Sequence, residues 1–107
     1  SNMKLIKTEA GYGPHIQGLP FLGTTYSATM STVSTAFSTD FTSDAVRVVA
    51  TADCFYTRGT APVTATTDKV FLPAGVVEYV GLEKGAKRIA FITTSSPAGT
   101  FYATEVL

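Results

Sequence analysis

Two side chains in this sequence are obvious starting points for covalent chemistry, the single cysteine Cys54 and the single histidine His15. A nucleophile needs a base within hydrogen-bond reach and a third group that orients the base. Cys54 sits among valines and threonines in VRVVATADCFYTRG, with no histidine near it in sequence. His15 lies in an irregular glycine- and proline-containing stretch and is expected at a turn or an interface. One His and one Cys are too few for a zinc site, and a lone cysteine excludes an internal disulfide. The parity of its segment makes Cys54 a buried small hydrophobe.

Paired carboxylates are the next possibility, since general acid–base and glycosidic chemistry both use them. The eight acids, Glu9, Asp40, Asp44, Asp53, Asp68, Glu78, Glu83 and Glu105, are scattered. Most are expected at turns or on solvent-facing strand positions. Asp40 and Asp44 flank a turn, where Asp side chains bond nearby backbone N–H groups, and the alternating acidic loop of a calcium site is missing. GYGPHIQG has neither a preceding strand nor a following helix, so it fails as a dinucleotide-binding loop, and EKGAKR lacks the ending of a phosphate loop. There is no tryptophan to form a sugar platform, although Tyr12, Tyr26, Tyr56, Tyr79 and Tyr102 could stack on ligands or pack into cores. The sequence therefore predicts no catalytic, cofactor or metal site and a protein that is not an enzyme.

The elements that carry these residues read as strands. Threonine is close to one residue in six, with Val, Phe and Tyr adding to the β-branched and aromatic total. No window of ten or more residues has a helical face. Ala45–Thr57 alternates with period two, placing Val46, Val48, Ala50, Ala52, Cys54 and Tyr56 on one face, and the spacing predicts a single strand covered on one side. Arg58–Pro62 ends it. Further strands are expected over 63–67, 69–72, 76–82, 87–94 and 100–107, separated by Gly/Pro turns. Turn signals about every ten residues favour a sandwich or small barrel. In 87–94 both faces are apolar, which implies a central strand or one facing another subunit. Between Tyr26 and Phe41 the apolar parity shifts, as a bulge or a change of sheet would require, and the Ser/Thr-rich remainder suits edge strands.

The expected organisation is one all-β domain: a tag remnant at 1–2, an irregular N-terminal arm at 3–25, and an antiparallel β-sandwich, jelly-roll-like, at 26–107. The arm holds four of the nine glycines, two of the five prolines and the large apolar residues Tyr12, Ile16, Leu19, Phe21 and Leu22. Those five are the candidate interface. The arm either folds back over its own core or reaches onto an adjacent subunit.

Charge excludes some partners. Eight basic residues balance eight acidic ones and only 15% of the chain is charged, without the clustered Lys/Arg of a nucleic-acid binder. No stretch approaches the ~20 apolar residues of a membrane span, and no signal-peptide pattern follows Met3. A soluble protein made in the cytoplasm is expected, with neither nucleic acid nor membrane as partner.

From Val46 onward the chain resembles small all-β proteins of tailed bacteriophages and prophages. VRVVATADCFYTRGTAP gives a V-x-V-x-A-T-x-D strand and a Gly/Pro turn. ATTDKVFLPAGVVEYVGL gives a short strand, an L-P-A-G corner and an acidic-aromatic strand; KGAKRIAFITT and GTFYATEVL follow. The resemblance implies a virion structural protein, a head decoration or tail-associated part. Such a protein would form a homo-oligomer, a ring or trimer, dock on other virion proteins and use no cofactor. The corner at Leu72–Gly75 is also similar to cupin-type jelly rolls, but the metal-binding histidines of a cupin are missing from these strands. A glycan-binding module of an adsorption apparatus is the alternative.

Overall fold

The computed structural model describes residues 21–107, which contain eight β-strands and no helix. The strands are β1 (Leu22–Thr29), β2 (Thr35–Ala36), β3 (Ala45–Ala50), β4 (Cys54–Gly59), β5 (Val70–Leu72), β6 (Glu78–Gly81), β7 (Arg88–Ile92) and β8 (Thr100–Val106). They form two antiparallel four-stranded sheets, ordered β1-β8-β3-β6 and β2-β7-β4-β5.

The pairing follows a simple rule. First pairs with last and the next strands pair inward: β1 with β8, β2 with β7, β3 with β6, β4 with β5. That is the ladder of one long hairpin. Two additional pairings, β3 with β8 and β4 with β7, roll the hairpin on itself and divide it into two sheets.

Side chains from both sheets meet in one core. Phe91 of β7 and Phe101 of β8, fully buried, stack with centroids 4.6 Å apart and planes within 3°. Phe37 lies against both, at 5.2 Å and 6.1 Å, and Phe41, Tyr26 and Tyr56 extend the aromatic cluster. Offset and edge-on aromatic pairs add about 0.5–1.5 kcal/mol each beyond their burial.

The expected single strand Ala45–Thr57 is instead two strands, in different sheets. Thr51–Asp53 carries the chain across between them. Thr51 donates its N–H to the Thr100 carbonyl (3.0 Å) and accepts from Thr100 N at its Oγ1 (2.8 Å), while Thr93 Oγ1 donates to the Asp53 carbonyl (2.6 Å). Val46, Val48 and Ala50 face the interior from one side and Cys54 and Tyr56 from the other, so parity is kept across the bend.

Other elements also differ from expectation. Residues 63–67 form no strand; they lie in the β4–β5 connection, where Ala65 is buried and donates its N–H to Ser34 Oγ at 2.8 Å. The first strand begins at Leu22, inside the expected arm, with a register irregularity between Leu22 and Thr25. The parity shift between Tyr26 and Phe41 reflects a change of sheet, and β1 and β2 are edge strands as their polar residues suggest. β7 is central, and Ala90 is buried on its outward side.

Candidate functional site

Cys54 is fully buried; burial, then the carboxylates of Asp53 and Glu78, push its thiol up to about 11. At neutral pH it is a protonated core residue and a poor nucleophile. His15, Tyr12, Ile16 and Leu19 lie outside the described residues. Among the described residues no group of three His, Cys, Asp or Glu side chains could hold a metal ion.

Some of the acids depart from their expected roles, whereas Asp68 sits exposed in a turn as expected. Asp40 and Asp44 do not close a turn on backbone N–H groups but take cations across the loops, Arg88 Nε at 2.8 Å and Lys87 Nζ at 3.0 Å. Both basic partners come from the segment that starts β7, so the β2–β3 and β6–β7 connections are tied at one end of the molecule. Glu105 is the larger surprise. It is buried on β8, and its Oε2 accepts from Thr42 N (2.7 Å) and Thr42 Oγ1 (3.0 Å). The Thr42 N–H holds its carboxyl below the usual carboxylate range; the Thr42 hydroxyl, the Ser43 N–H and Lys87 add to this, against the opposing effect of burial.

A cleft opens where the two sheets end without meeting. β6 is the edge of one sheet and β5 of the other, and a cavity of about 500 Å³ lies between β6 and β4, walled by Tyr56, Arg58, Tyr79 and Val80 with Asp44, Leu82 and Glu83. It continues into a second cavity of about 350 Å³ that shares Tyr56, Arg58 and Val80 and adds Val70. At its floor Tyr56 Oη donates to Glu78 Oε1 at 2.7 Å. Burial first, and then this bond to a carboxylate, hold the phenol above its ordinary pKa. Arg58 Nη1 stands 3.8 Å from Glu83 Oε1, an ion pair too long for a hydrogen bond. Among the described residues the cleft presents the guanidinium of Arg58, the carboxylates of Asp44 and Glu83, and the phenol of Tyr56 beside Val80 and Leu82.

The exposed apolar side chains fall at two edges. Val70, Phe71, Val76, Val77 and Tyr79 lie on and between β5 and β6, and of these Val70 and Tyr79 line the cleft. Phe21, Leu22 and Leu107 form a corner on the opposite edge, where Leu107 N donates to the Phe21 carbonyl at 2.7 Å and Leu22 pairs with Val106. Of the five candidate interface residues the structure thus places two, Phe21 and Leu22, together on the surface. On the outer face of the first sheet Arg47 pairs with Tyr79 and Val49 with Tyr102, leaving both tyrosines part-exposed around the arginine.

Sequence reasoning missed the cleft but left signals for parts of it. Glu78, Val80 and Leu82 share parity, as do Phe101, Ala103 and Glu105. In both runs a carboxylate occupies an inward position. No protein-family model, curated protein or solved structure matches the chain.

Proposed function

We propose that this chain is a non-enzymatic structural protein of a bacteriophage or prophage virion, which self-associates and docks on other head or tail proteins. The strand order carries the reading. A long antiparallel hairpin divided into two four-stranded sheets supports a jelly-roll reading of the fold, an architecture used by viral capsid domains as well as by lectins and cupins. The resemblance from Val46 to Leu107 points to the same setting. The apolar residues left exposed at two opposite edges support contacts with further protein. Light scattering on the purified protein at tens of micromolar tests the reading. A defined multiple of the 11.3 kDa chain is expected, and a strict monomer would reject it.

The outer face of the first sheet favours a second reading, a glycan-binding module of an adsorption apparatus. Tyr79 and Tyr102 flank Arg47 there, and tyrosine rings beside a donor suit a sugar ring. Binding on a glycan array that disappears on Tyr102→Ala would promote this reading, and an array with no hits would remove it.

A further inference from the structure

The outer face of the first sheet brings together one charge, two rings and a row of hydroxyls. Val46, Val48, Phe101 and Ala103 are fully buried, so the residues between them, Arg47 on β3 and Tyr102 on β8, point outward. Tyr79 on β6 lies directly opposite Arg47, and Tyr102 lies opposite Val49, one diagonal step from the arginine. Directly opposed residues are about 5 Å apart and diagonal ones about 7–8 Å, so both rings lie within reach of one guanidinium. The rings themselves are two strand spacings and two residues apart, roughly 12 Å. Both face solvent, Tyr79 with 55% and Tyr102 with 37% of its surface exposed. Past Tyr102 the face continues in the exposed Ser27 and Thr25 of β1, where Thr25 Oγ1 and Thr104 Oγ1 share a hydrogen bond of 2.9 Å.

Charge narrows what this face can take. The two carboxylates on the strands of this sheet, Glu78 and Glu105, turn inward to Tyr56 and Thr42. Asp44, just ahead of β3, is held by Lys87 Nζ at 3.0 Å. Arg47 is therefore the one charged residue at the outward positions of the sheet, and no carboxylate of the described residues pairs with it. A guanidinium presents a planar fork that a carboxylate meets with two parallel hydrogen bonds. A polyanion such as nucleic acid is neutralised by many cations at once, whereas one arginine matches one carboxylate in the stretch it touches. The hydroxyls around it favour a sugar chain over a protein, because protein hot spots are poor in Ser and Thr.

We propose that the outer face of β6, β3 and β8 binds a linear glycan by pairing Arg47 with the carboxylate of a uronic acid residue, while sugars beside it lie on Tyr79 and Tyr102. The inference rests on the glycan-binding reading above and names the class of sugar that this face takes.

An array of linear oligosaccharides tests the assignment on the full chain. Hyaluronan and unsulfated chondroitin fragments, which alternate glucuronate with a neutral amino sugar, are printed as free acids and as carboxyl methyl esters. Neutral glucose chains and a Glu-rich peptide are printed beside them. The native protein should hold the free acids about tenfold more tightly than their esters. Arg47→Gln should lose that difference and bind the esters as the native protein does, so that substitution and esterification are not additive. Unchanged ester binding also shows that the variant is folded. The acid-to-ester comparison on the native protein needs no variant and stands if Arg47→Gln does not fold. Tyr79→Ala should weaken acids and esters alike, by roughly threefold to tenfold. Equal binding of acids and esters, a preference for the neutral chains, or an Arg47→Gln protein that still separates acid from ester would overturn the uronate assignment and leave glycan binding standing. Equal capture of the Glu-rich peptide would overturn it as well and give the face to an acidic protein. Failure to bind any sugar would remove the glycan-binding reading itself.

Discussion

Glu105→Gln isolates the charge of a buried carboxylate while keeping its shape. In the folded protein Glu105 is 6% exposed, and its Oε2 accepts two bonds from Thr42, at 2.7 Å and 3.0 Å. These bonds fasten the β2–β3 connection to β8. A hydrogen bond to a charged group contributes about 1.5–3 kcal/mol and a neutral one about 0.5–1.5 kcal/mol. Neutralising the acceptor therefore costs about 1 kcal/mol per bond, or about 2 kcal/mol for the two, on the same principle. Urea unfolding followed by far-ultraviolet circular dichroism reads this directly. With a slope of about 2 kcal/mol per molar urea, the midpoint falls by about 1 M near neutral pH.

The pH dependence provides the internal control. Glu105 is held below the ordinary carboxylate pKa in the folded state, by the Thr42 N–H above all. A depressed folded pKa means that its contribution is fully present above the unfolded value of about 4.3 and is lost as pH falls through the folded value. The amide of the variant has no such titration. The gap between the two proteins should be widest near neutral pH and should close as the pH drops below the unfolded value. Equal midpoints near neutral pH, or a gap that does not shrink in acid, would refute the account of Glu105 as a charged anchor.

Gly99→Ala should destabilise by about 1–3 kcal/mol in thermal or urea unfolding, because Gly99 has φ 76° and an added Cβ would lie 2.6 Å from Thr51 Oγ1. A loss under about 0.5 kcal/mol would mean that the β3–β4 crossover yields more readily than its bonds to Thr100 imply. Phe101→Ala removes one ring of the stacked pair that joins the two sheets and should cost about 3–5 kcal/mol by the same measurement, a large part of a stability of about 5–15 kcal/mol. Stability should also decline in alkali. The Cys54 thiol is raised to about 11 when folded, so the unfolded chain loses its proton first and gains relative to the folded one from about pH 8.5 upward. Cys54→Ala should flatten the decline, and an unchanged alkaline profile would remove Cys54 as a contributor.

Strand positions are legible in the sequence because alternation survives wherever one face is buried. Val46, Val48 and Ala50, and then Cys54 and Tyr56, are inward as their parity requires. The same regularity hides the crossing at Thr51–Asp53. A chain that passes from one sheet to the facing one, both turned to a shared interior, need not change parity, so a single long strand and two strands in different sheets read alike. Local propensity misleads at 63–67, where β-branched residues sit in a connection fixed by Ala65 and Ser34. Parity marks Glu78, Val80 and Leu82 as one face, but the cleft itself cannot be read from the sequence. Its existence depends on β5 and β6 ending in different sheets, which is a property of the roll and of no short stretch. Asp40 and Asp44 escape a local reading for a related reason, since Arg88 and Lys87 come to them from a distant part of the chain.

Rolling a hairpin into two open sheets leaves four edge strands, and their lengths are unequal. β2, β5 and β6 have two, three and four residues, whereas β1 has eight. Short edges offer little ladder to another chain, so β1 is the edge that needs protection. It has two devices. Thr24, Thr25, Ser27 and Thr29 make its sequence polar, and the irregular register between Leu22 and Thr25 interrupts the ladder near its start. Phe21 and Leu22 are clustered at that interruption, where continuous main-chain pairing is least available.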